Sequence, residues 1–320
     1  MILAQNAAMH SFPSWRGLPP EARGGAVALG NFDGVHLGHA QLIHAAHAAR
    51  PDAPLAVLTF EPHPRELFRP DDPPFHLTLP PARAVLLAGL GVRHVYELPF
   101  DRAFSEMDAE AFVAEVLHAG VGARHLVCGA DFAFGHRRGG DVAFLAARAE
   151  ALEIGLTIVP PLTDEAGPLS SSRIRRLLQD GYPERAALLL GRPWAIEGVV
   201  AHGDKRGRTL GFPTANVALG RHLEPARGVY AVRVATPGGE IHDGVANIGR
   251  RPTVNAGLES RLEVNLFDFA GDLYGATISV ALLAFLRAER KFDGLDELRA
   301  QIAADSAEAR RLLDLAACLT

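Results

Sequence analysis

Short apolar runs alternate with helix-like stretches through the first half of the chain. The apolar runs predict strands at 26–32, 55–60, 94–100, 125–132 and 156–162. The stretches between them predict helices near 40–50, 80–89, 108–119, 141–153 and 172–180. Strands and helices in this alternation are typical of a parallel sheet with helices on both faces, and the ligands of such sheets bind beyond the carboxyl ends of the strands.

The pattern changes beyond residue 190. Strand-like runs at 195–201, 228–235, 241–248, 261–269 and 277–286 are separated by turns rich in Gly, Pro and Asp, and a helix-like stretch returns only at 295–317. This pattern is typical of an antiparallel barrel with a closing helix. Helix-breaking residues lie between the two patterns, so we predict an α/β domain over 1–185 and a β-barrel domain over 186–320.

Composition narrows the class of protein. A chain of 320 residues with 48% hydrophobic and 22% charged residues is typical of a globular protein with two domains. The net charge of -5 gives no general attraction for nucleic acid, so we expect no nucleic-acid partner. Cys128 and Cys318 are the only cysteines, which excludes a disulfide framework and fits a reducing cytoplasm. We see neither a signal-peptide pattern nor an apolar run of about 18 residues, and so expect a cytoplasmic protein without a membrane partner.

The stretch 30–39, Gly-Asn-Phe-Asp-Gly-Val-His-Leu-Gly-His, joins the first predicted strand to the first predicted helix. Such a junction presents backbone N–H groups and a partial positive charge, which favour phosphate. His36 and His39 are about one helical turn apart, so both imidazoles can face one phosphate group. Two bland alternatives remain open: the Asp33-Gly34 pair could be an ordinary turn, and the histidines could bind a metal whose other ligands come from elsewhere.

Three further loops follow predicted strands. The segment 128–141 combines glycines, aromatic side chains and two arginines, which could form a wall for an aromatic phosphate ligand or simply a solvated loop. The segment 169–175, Leu-Ser-Ser-Ser-Arg-Ile-Arg, is first of all a helix N-cap, yet it could also clamp phosphate. The segment 61–65 has two prolines, so we predict a stiff loop rather than a helix start and assign no role to His63.

Two segments of the barrel half carry candidate chemistry. The glycine-rich basic loop at 202–216 suits phosphates, although it is not a P-loop and could be merely solvated. At its end, Thr214 and Asn216 offer two neutral oxygen ligands on one side of an extended segment, a set that Mg²⁺ accepts beside phosphate and water. In the segment 261–269, alternation puts Glu263 on the face opposite the aliphatic residues, where most glutamates are simply solvated.

These motifs also resemble those of a known family. The string at 30–39 resembles the HxGH signature of the nucleotidyltransferase superfamily, in the form found in bacterial FAD synthetases. The string at 169–175 resembles the Ser-Ser-x-x-Ile-Arg motif of the same superfamily, and Gly-Phe-Pro-Thr-Ala-Asn at 211–216 resembles the hallmark of riboflavin kinases. The chain is thereby identified as a member of the bacterial bifunctional riboflavin kinase/FAD synthetase family. The resemblance implies a Rossmann-like nucleotidyltransferase domain followed by a riboflavin kinase barrel with a closing helix.

The resemblance implies two reactions in sequence. ATP phosphorylates riboflavin to FMN in the barrel, and the first domain then joins FMN to the adenylyl group of a second ATP with release of pyrophosphate. Both reactions would require Mg²⁺. In the first domain His36 and His39 would stabilise charge on the α-phosphate of ATP without covalent catalysis. The other nucleotide-binding residues that it implies are Asn31, Asp33, Gly38, Ser171, Ser172, Arg175, Gly203, Lys205 and Thr209.

The resemblance also implies the remaining site residues. Thr214 and Asn216 would help to bind Mg²⁺, and Glu263 would be the general base for the ribityl 5′-hydroxyl. Asp268 is a competing carboxylate whose place in the motif does not match the base. The implied flavin-binding residues are Asp131, Phe132, Asn247 and Arg251.

Two other functions stay open. The first domain could transfer a nucleotide to a different phosphate ester, although the barrel and its Thr-Ala-Asn string argue against this. The chain could also be a flavin carrier or regulator without catalysis, although the presence of His36, His39 and Glu263 argues against that.

Overall fold

The computed structural model describes residues 9–201, 214–252 and 258–317, without the side chains of residues 251, 252, 258, 259, 316 and 317. Its contacts divide the chain into two compact units. The first unit runs through Asp72 and resumes over Pro80–Leu169, and the second comprises Pro73–Leu79 and the residues from Ser170 onward. The boundary expected between residues 185 and 186 stays a prediction about sequence domains.

Six parallel strands form the sheet of the first unit, in the order β1-β4-β3-β2-β5-β6. The predicted parallel sheet is therefore confirmed. β1 was not predicted, because three residues of mixed polarity give no periodic signal. The strands of this unit are β1 His10–Phe12, β2 Ala26–Leu29, β3 Leu55–Glu61, β4 His94–Pro99, β5 His125–Gly129 and β6 Gly155–Val159, followed by a small hairpin of β7 Thr163–Asp164 and β8 Gly167–Pro168.

Helices cover both faces of this sheet. Alternate residues of β2 point to opposite faces and join two separate cores. Val27 belongs to the core that includes Leu145, and Ala28 belongs to the core that includes Ile43. Each fully buried Leu or Ile stabilises the fold by about 1.5–3 kcal/mol. The helices are α1 Leu37–Ala49, α2 Pro64–Phe68, α3 Pro80–Gly89, α4 Arg102–Ser105, α5 Ala109–Ala111 with its π-helical continuation Phe112–Gly120, and α6 Val142–Ala151.

The second unit is a closed barrel of antiparallel strands, in the order β10-β13-β12-β11-β14-β9. The predicted barrel is confirmed, and its closing helix spans the predicted residues. The barrel strands are β9 Trp194–Ala201, β10 Ala215–Ala218, β11 Gly228–Ala235, β12 Ile241–Pro252, β13 Leu258–Leu266 and β14 Thr277–Ala288. The helices of this unit are α7 Ser171–Gln179, α8 Pro183–Leu190 and the closing helix α9 Leu295–Ala317.

The segment Pro73–Leu79 is built into the second unit through its backbone. The indole Nε1 of Trp194, a residue with 1% exposure, donates to the carbonyl of Leu77 at 2.8 Å. The backbone N–H of Leu223 donates to the carbonyl of His76 at 2.9 Å, and the backbone N–H of His76 donates to the carbonyl of Arg221 at 3.2 Å. A buried N–H without such a partner would be costly, so the barrel depends on this segment.

The closing helix α9 packs on the outside of the barrel. Ala309 and Leu313 of the helix meet a group of buried barrel residues that includes Val229 and Phe267. No helix in the described part of the chain combines the length and the apolar character that crossing a membrane would require.

Candidate active sites

The junction between β2 and α1 is a tight, largely buried turn in the first unit. Phe32, Gly34 and Val35 have φ values of +50°, +88° and +41°, in the left-handed region that ordinary residues avoid. The turn buries Asp33 at 2% exposure and His36 at 6%. Local strain of this kind persists only where the surrounding structure enforces it, and it is concentrated at functional sites.

His36 and His39 hold one another in place at the start of α1. The Nδ1 atom of each ring accepts the backbone N–H of the other residue at 3.3 Å, so His36 is the N-cap and His39 closes the capping box. The rings are stacked, with centroids 3.7 Å apart and planes 17° apart. Phe32 packs against the His39 ring at 5.1 Å. The two imidazoles therefore form one preorganised unit, whereas their spacing predicted only that they share one face of the helix.

The capping bonds also assign the tautomer of both rings. An Nδ1 atom that accepts a backbone N–H carries no proton, so the proton of each neutral ring lies on Nε2. Both histidines can consequently donate an Nε2–H hydrogen bond without first becoming charged. A phosphate oxygen is the acceptor best suited to such a pair of donors.

Gly38 leaves room for the His36 ring. A Cβ at this position would lie 3.1 Å from Cε1 and 3.2 Å from Nδ1 of His36. Any side chain would therefore press on the imidazole that caps the helix. This contact gives a physical reason for glycine between the two histidines.

The neighbouring strand ends supply the other predicted residues of the first unit. β2 lies between β3 and β5, so the loops after these three strands emerge side by side. The carbonyl of Asn31 accepts a hydrogen bond from the Thr59 hydroxyl at 3.1 Å, which ties the junction to β3. After β5, Asp131 is exposed, and Phe132 stacks on Phe134 with centroids 5.4 Å apart.

The expectation of a stiff loop after β3 is wrong. Helix α2 begins at Pro64, and the His63 side chain caps it by accepting the N–H of Arg65 at 3.1 Å. The first helical position is where proline is tolerated, because its missing N–H would have no partner inside the helix. Glu66 completes a capping box by accepting the His63 N–H at 3.0 Å. The second of the two prolines in the segment therefore starts the helix instead of preventing it.

A buried arginine in the same part of the sheet was not predicted. Arg83 on α3 has 1% exposure and forms ion pairs with Glu61 at the end of β3 and with Glu97 on β4. The only signal in the sequence is its place four residues before Leu87, on the apolar face of the helix. The pairs fix the end of β3 relative to α3.

Helix α7 carries the predicted phosphate clamp and belongs to the second unit. The Ser170 hydroxyl accepts the N–H of Arg173 at 3.2 Å, so the N-cap reading of this serine cluster is confirmed. Ser171 and Ser172 occupy the first two helical positions, where backbone N–H groups point out of the helix. Arg175 donates from Nε to the carbonyl of Phe75 at 2.8 Å, with its guanidinium 5.3 Å from the Phe75 ring centre.

Three predicted residues of the barrel share one row across adjacent strands. In the strand register Asn216 lies opposite Glu263, and Glu263 lies opposite Asn247. Directly paired residues point to the same face, so the three side chains are neighbours. Leu262 and Val264, on either side of Glu263, have 0% exposure, which confirms that Glu263 lies on the face opposite the aliphatic residues.

The competing carboxylate, Asp268, is engaged elsewhere. It forms an ion pair with Arg310 of the closing helix at 2.8 Å, and its side chain is 80% exposed. The hydrogen bonds from Arg310 lower the pKa of Asp268, which makes it a weaker proton acceptor. Asp268 is therefore poorly suited to act as a general base.

Some predicted residues fall outside the description. Gly203, Lys205 and Thr209 lie outside the described residues, and of Arg251 only the backbone, in β12, is described. No group of three or more His, Cys, Asp and Glu side chains within the described part of the chain could hold a metal ion.

Asn216 is buried at 6% exposure, and its Nδ2 atom donates to the Thr214 carbonyl at 3.3 Å. The amide oxygen is therefore the atom that Asn216 can offer to a cation.

The two units together have the architecture of an ATP-using transferase with a nucleotidyltransferase-like sheet and a kinase-like barrel. A sequence profile described as FAD synthetase matches residues 18–173, and one described as riboflavin kinase matches residues 190–313. The bifunctional riboflavin kinase/FMN adenylyltransferase of Escherichia coli K12 is 44% identical over 296 residues, which cover 91% of this chain and 94% of the relative. The protein of the same name from Bacillus subtilis is 41% identical, with 89% and 91% covered. The chain belongs to this bifunctional family.

A solved structure agrees with this architecture along nearly the whole chain. The crystal structure of a Streptococcus pneumoniae protein, named there as a macrolide-efflux protein, superposes with a TM-score of 0.84 at 35% sequence identity. The match covers 94% of this chain and 98% of that one. The same succession of sheet and barrel is thus present in an experimental structure.

Proposed function

We propose that this chain phosphorylates riboflavin to FMN and then adenylylates FMN to FAD, using ATP in both reactions. The observation that carries the proposal is the presence of two constellations in one chain, each within its own unit. The first is the stacked pair of His36 and His39, in which the Nδ1 atom of each ring accepts the backbone N–H of the other residue. The second is the row of Asn216, Glu263 and Asn247 on the barrel.

In the adenylylation reaction, a phosphate oxygen of FMN attacks the α-phosphorus of ATP. The bond from that phosphorus to the bridging oxygen breaks, and pyrophosphate leaves. His36 and His39 donate their Nε2–H groups to the α-phosphate oxygens, where negative charge increases in the transition state. Their mutual capping fixes both donors before the substrate binds, so no side-chain entropy is lost at that moment.

We also propose roles for the other residues predicted for this reaction. Asn31, Asp33 and Gly38 belong to the same junction as the histidines, and we propose that they bind the nucleotide. Ser171, Ser172 and Arg175 lie on the first turns of α7, and we propose that they bind ATP phosphates through N–H, hydroxyl and guanidinium groups. Asp131 and Phe132 follow β5, and we propose that they contact the flavin.

In the kinase reaction, Glu263 accepts the proton of the ribityl 5′-hydroxyl while the oxygen forms a bond to the γ-phosphorus of ATP. The bond to the bridging oxygen breaks, and ADP leaves. The proposed flavin contacts are Asn247, which is paired with Glu263 in the strand register, and Arg251. The roles of Gly203, Lys205 and Thr209 in binding ATP stay predictions from the sequence.

Mg²⁺ fits the donor atoms present in the barrel. Thr214 and Asn216 would hold it through neutral oxygens, with the Glu263 carboxylate on the neighbouring strand. When bound, the ion neutralises the phosphate charge of the nucleotide. Removal of divalent ions with EDTA should stop the formation of both products, and added MgCl₂ should restore it. Full turnover in EDTA would contradict this assignment.

The decisive experiment is a chromatographic product assay with riboflavin, ATP and Mg²⁺. We expect FMN to appear first and FAD to follow. His36→Ala should abolish FAD formation but spare FMN formation, whereas Glu263→Ala should abolish FMN formation yet still convert added FMN to FAD. FMN as the only product would mean that the first unit acts on another acceptor or is inactive, and flavin binding without turnover would favour a carrier.

A further inference from the structure

A second carboxylate lies beside the row of polar residues on the barrel, and none of the roles above uses it. Glu289 immediately follows β14, and its Oε1 atom is 3.3 Å from Nδ2 of Asn247. A Cβ at Gly249 would lie only 2.3 Å from the same Oε1 atom. The glycine two residues beyond Asn247 on β12 therefore leaves the space that the carboxylate fills.

The segment that carries Glu289 is anchored to the closing helix. Arg287 forms a two-pronged ion pair with Asp305, from Nε at 3.0 Å and from Nη2 at 2.7 Å, and Asp305 has only 7% exposure. The third nitrogen of the Arg287 guanidinium, Nη1, donates to the carbonyl of Ala288 at 3.0 Å, one residue before Glu289. A bidentate pair of this kind has a defined geometry, so the position of the following carboxylate is defined as well.

We propose that Glu289 is a positioning residue of the riboflavin kinase site, which it serves by orienting the side-chain amide of Asn247. This inference rests on the proposed function, because it assumes that Asn247 contacts the flavin substrate. An ionised carboxylate can only accept hydrogen bonds, so Glu289 can pair with the Nδ2 end of the amide and not with its oxygen. The amide carbonyl of Asn247 is then the end presented to riboflavin.

The orientation decides what Asn247 can recognise. An asparagine amide that is not held can turn over and exchange a donor for an acceptor at the same place. With Glu289 in position, Asn247 offers an acceptor, which suits an N–H of the flavin ring or a hydroxyl of the ribityl chain. The orientation is set before substrate binds, so the ligand does not have to select one of two states.

The test is a double-mutant cycle on the full-length protein, with FMN formation from riboflavin as the readout. Glu289→Ala should raise the KM for riboflavin by roughly tenfold and leave the KM for ATP unchanged. The tenfold change corresponds to about 1.4 kcal/mol, the energy expected for one charge-assisted hydrogen bond near the surface. Glu289→Gln should recover part of the loss, because its amide oxygen can still accept from Asn247. In an Asn247→Ala background, Glu289→Ala should have no further effect.

A control variant and a second reaction make the outcomes distinct. Glu308→Ala removes an exposed carboxylate of the closing helix, paired with Arg311, and should leave both reactions unchanged. If Glu289→Ala behaves like this control, or if its effect persists in full in the Asn247→Ala background, the positioning role is wrong while the kinase assignment stands. If it also reduces the conversion of FMN to FAD, its effect is on folding. A wild-type protein that makes no FMN would overturn the kinase assignment and this role together.

Discussion

The glycine between the two histidines offers a sharp test of how the first unit works. In Gly38→Ala the added Cβ would lie 3.1 Å from Cε1 and 3.2 Å from Nδ1 of His36, where unstrained carbon contacts are about 3.5–4.0 Å. The His36 ring must therefore move by roughly 0.4 Å or more. The His39 ring is stacked on the His36 ring, 3.7 Å away between centroids, so a shift of His36 should displace or tilt both rings.

The expected loss of activity is larger than the expected loss of stability. A catalytic group that is misplaced by about 1 Å can lose roughly a hundredfold in rate, so a shift of the two Nε2–H donors should lower FMN adenylylation by about tenfold to a hundredfold. Alanine stabilises a helix by up to about 1 kcal/mol relative to glycine, and the strained contact with His36 destabilises the fold by a similar amount. The free energy of unfolding should therefore change by less than about 1 kcal/mol.

The assay compares two reactions of one preparation. We would measure kcat/KM for the conversion of FMN to FAD and, in the same sample, the rate of FMN formation from riboflavin, which should stay at the wild-type value. Gly89→Ala is the matched control, because it lies at the end of α3 and no atom is within 4 Å of an added Cβ. The control should leave both reactions unchanged.

Two results would refute the reasoning. Adenylylation within about twofold of the wild-type rate would mean that the contact with His36 does not set the positions of the donors. Equal loss of both reactions, with a lower melting temperature, would mean that Gly38 is needed for folding and that no catalytic role can be drawn from it.

Three further predictions concern the barrel and the sheet. Asp305→Ala removes the partner of the Arg287 guanidinium and should lower the free energy of unfolding by about 2 kcal/mol in urea titrations; a change below about 0.5 kcal/mol would contradict the anchoring. Burial raises the pKa of the Cys128 thiol to about 11, so in a Cys318→Ser variant the folded protein should not react with a thiol reagent at pH 8, whereas the unfolded protein should. Burial alone would raise the pKa of Glu224, but hydrogen bonds from two arginines and a serine outweigh it and hold the pKa below its usual value. Ionised Glu224 therefore stabilises the fold above the pKa that it has in the unfolded chain, and this stabilisation is lost as pH falls through its lower pKa in the folded protein. Glu224→Gln should thus reduce the loss of stability with acid in melting curves recorded at several pH values. An unchanged dependence of melting temperature on pH would contradict the assignment.

The elements that could be predicted are those with a strong local pattern. The strands β2 to β6 are apolar runs flanked by polar residues and were found with shifts of a few residues. The closing helix α9 has a long uninterrupted period and was found with its predicted bounds. Helix α1 begins at Leu37, earlier than predicted, because the side chain of His36 caps it. Helix α2 was missed because the sequence does not reveal that its proline occupies the first helical position.

Sequence reasoning predicted candidate site residues but not the geometry that relates them to one another. The spacing of His36 and His39 predicted that they share a face, but their reciprocal capping depends on the conformation of the turn before them. Glu289 and Asn247 are 42 residues apart, and only the register of the barrel strands brings them together. Long-range pairs of this kind leave no local pattern in one sequence, because each partner looks like an ordinary surface residue.

The segment Pro73–Leu79 has a consequence for the way this protein is made and divided. Leu77 is synthesised 117 residues before Trp194, whose indole N–H donates to the Leu77 carbonyl in the folded protein. The sheet of the first unit can form before the barrel has been synthesised. The barrel, however, can fold completely only by incorporating this segment, which is synthesised long before the first barrel strand. A fragment cut at the apparent boundary would contain every barrel strand and still lack that piece. The two units are therefore connected by more than a linker, because the part of the gene that encodes the first unit also encodes a structural segment of the second.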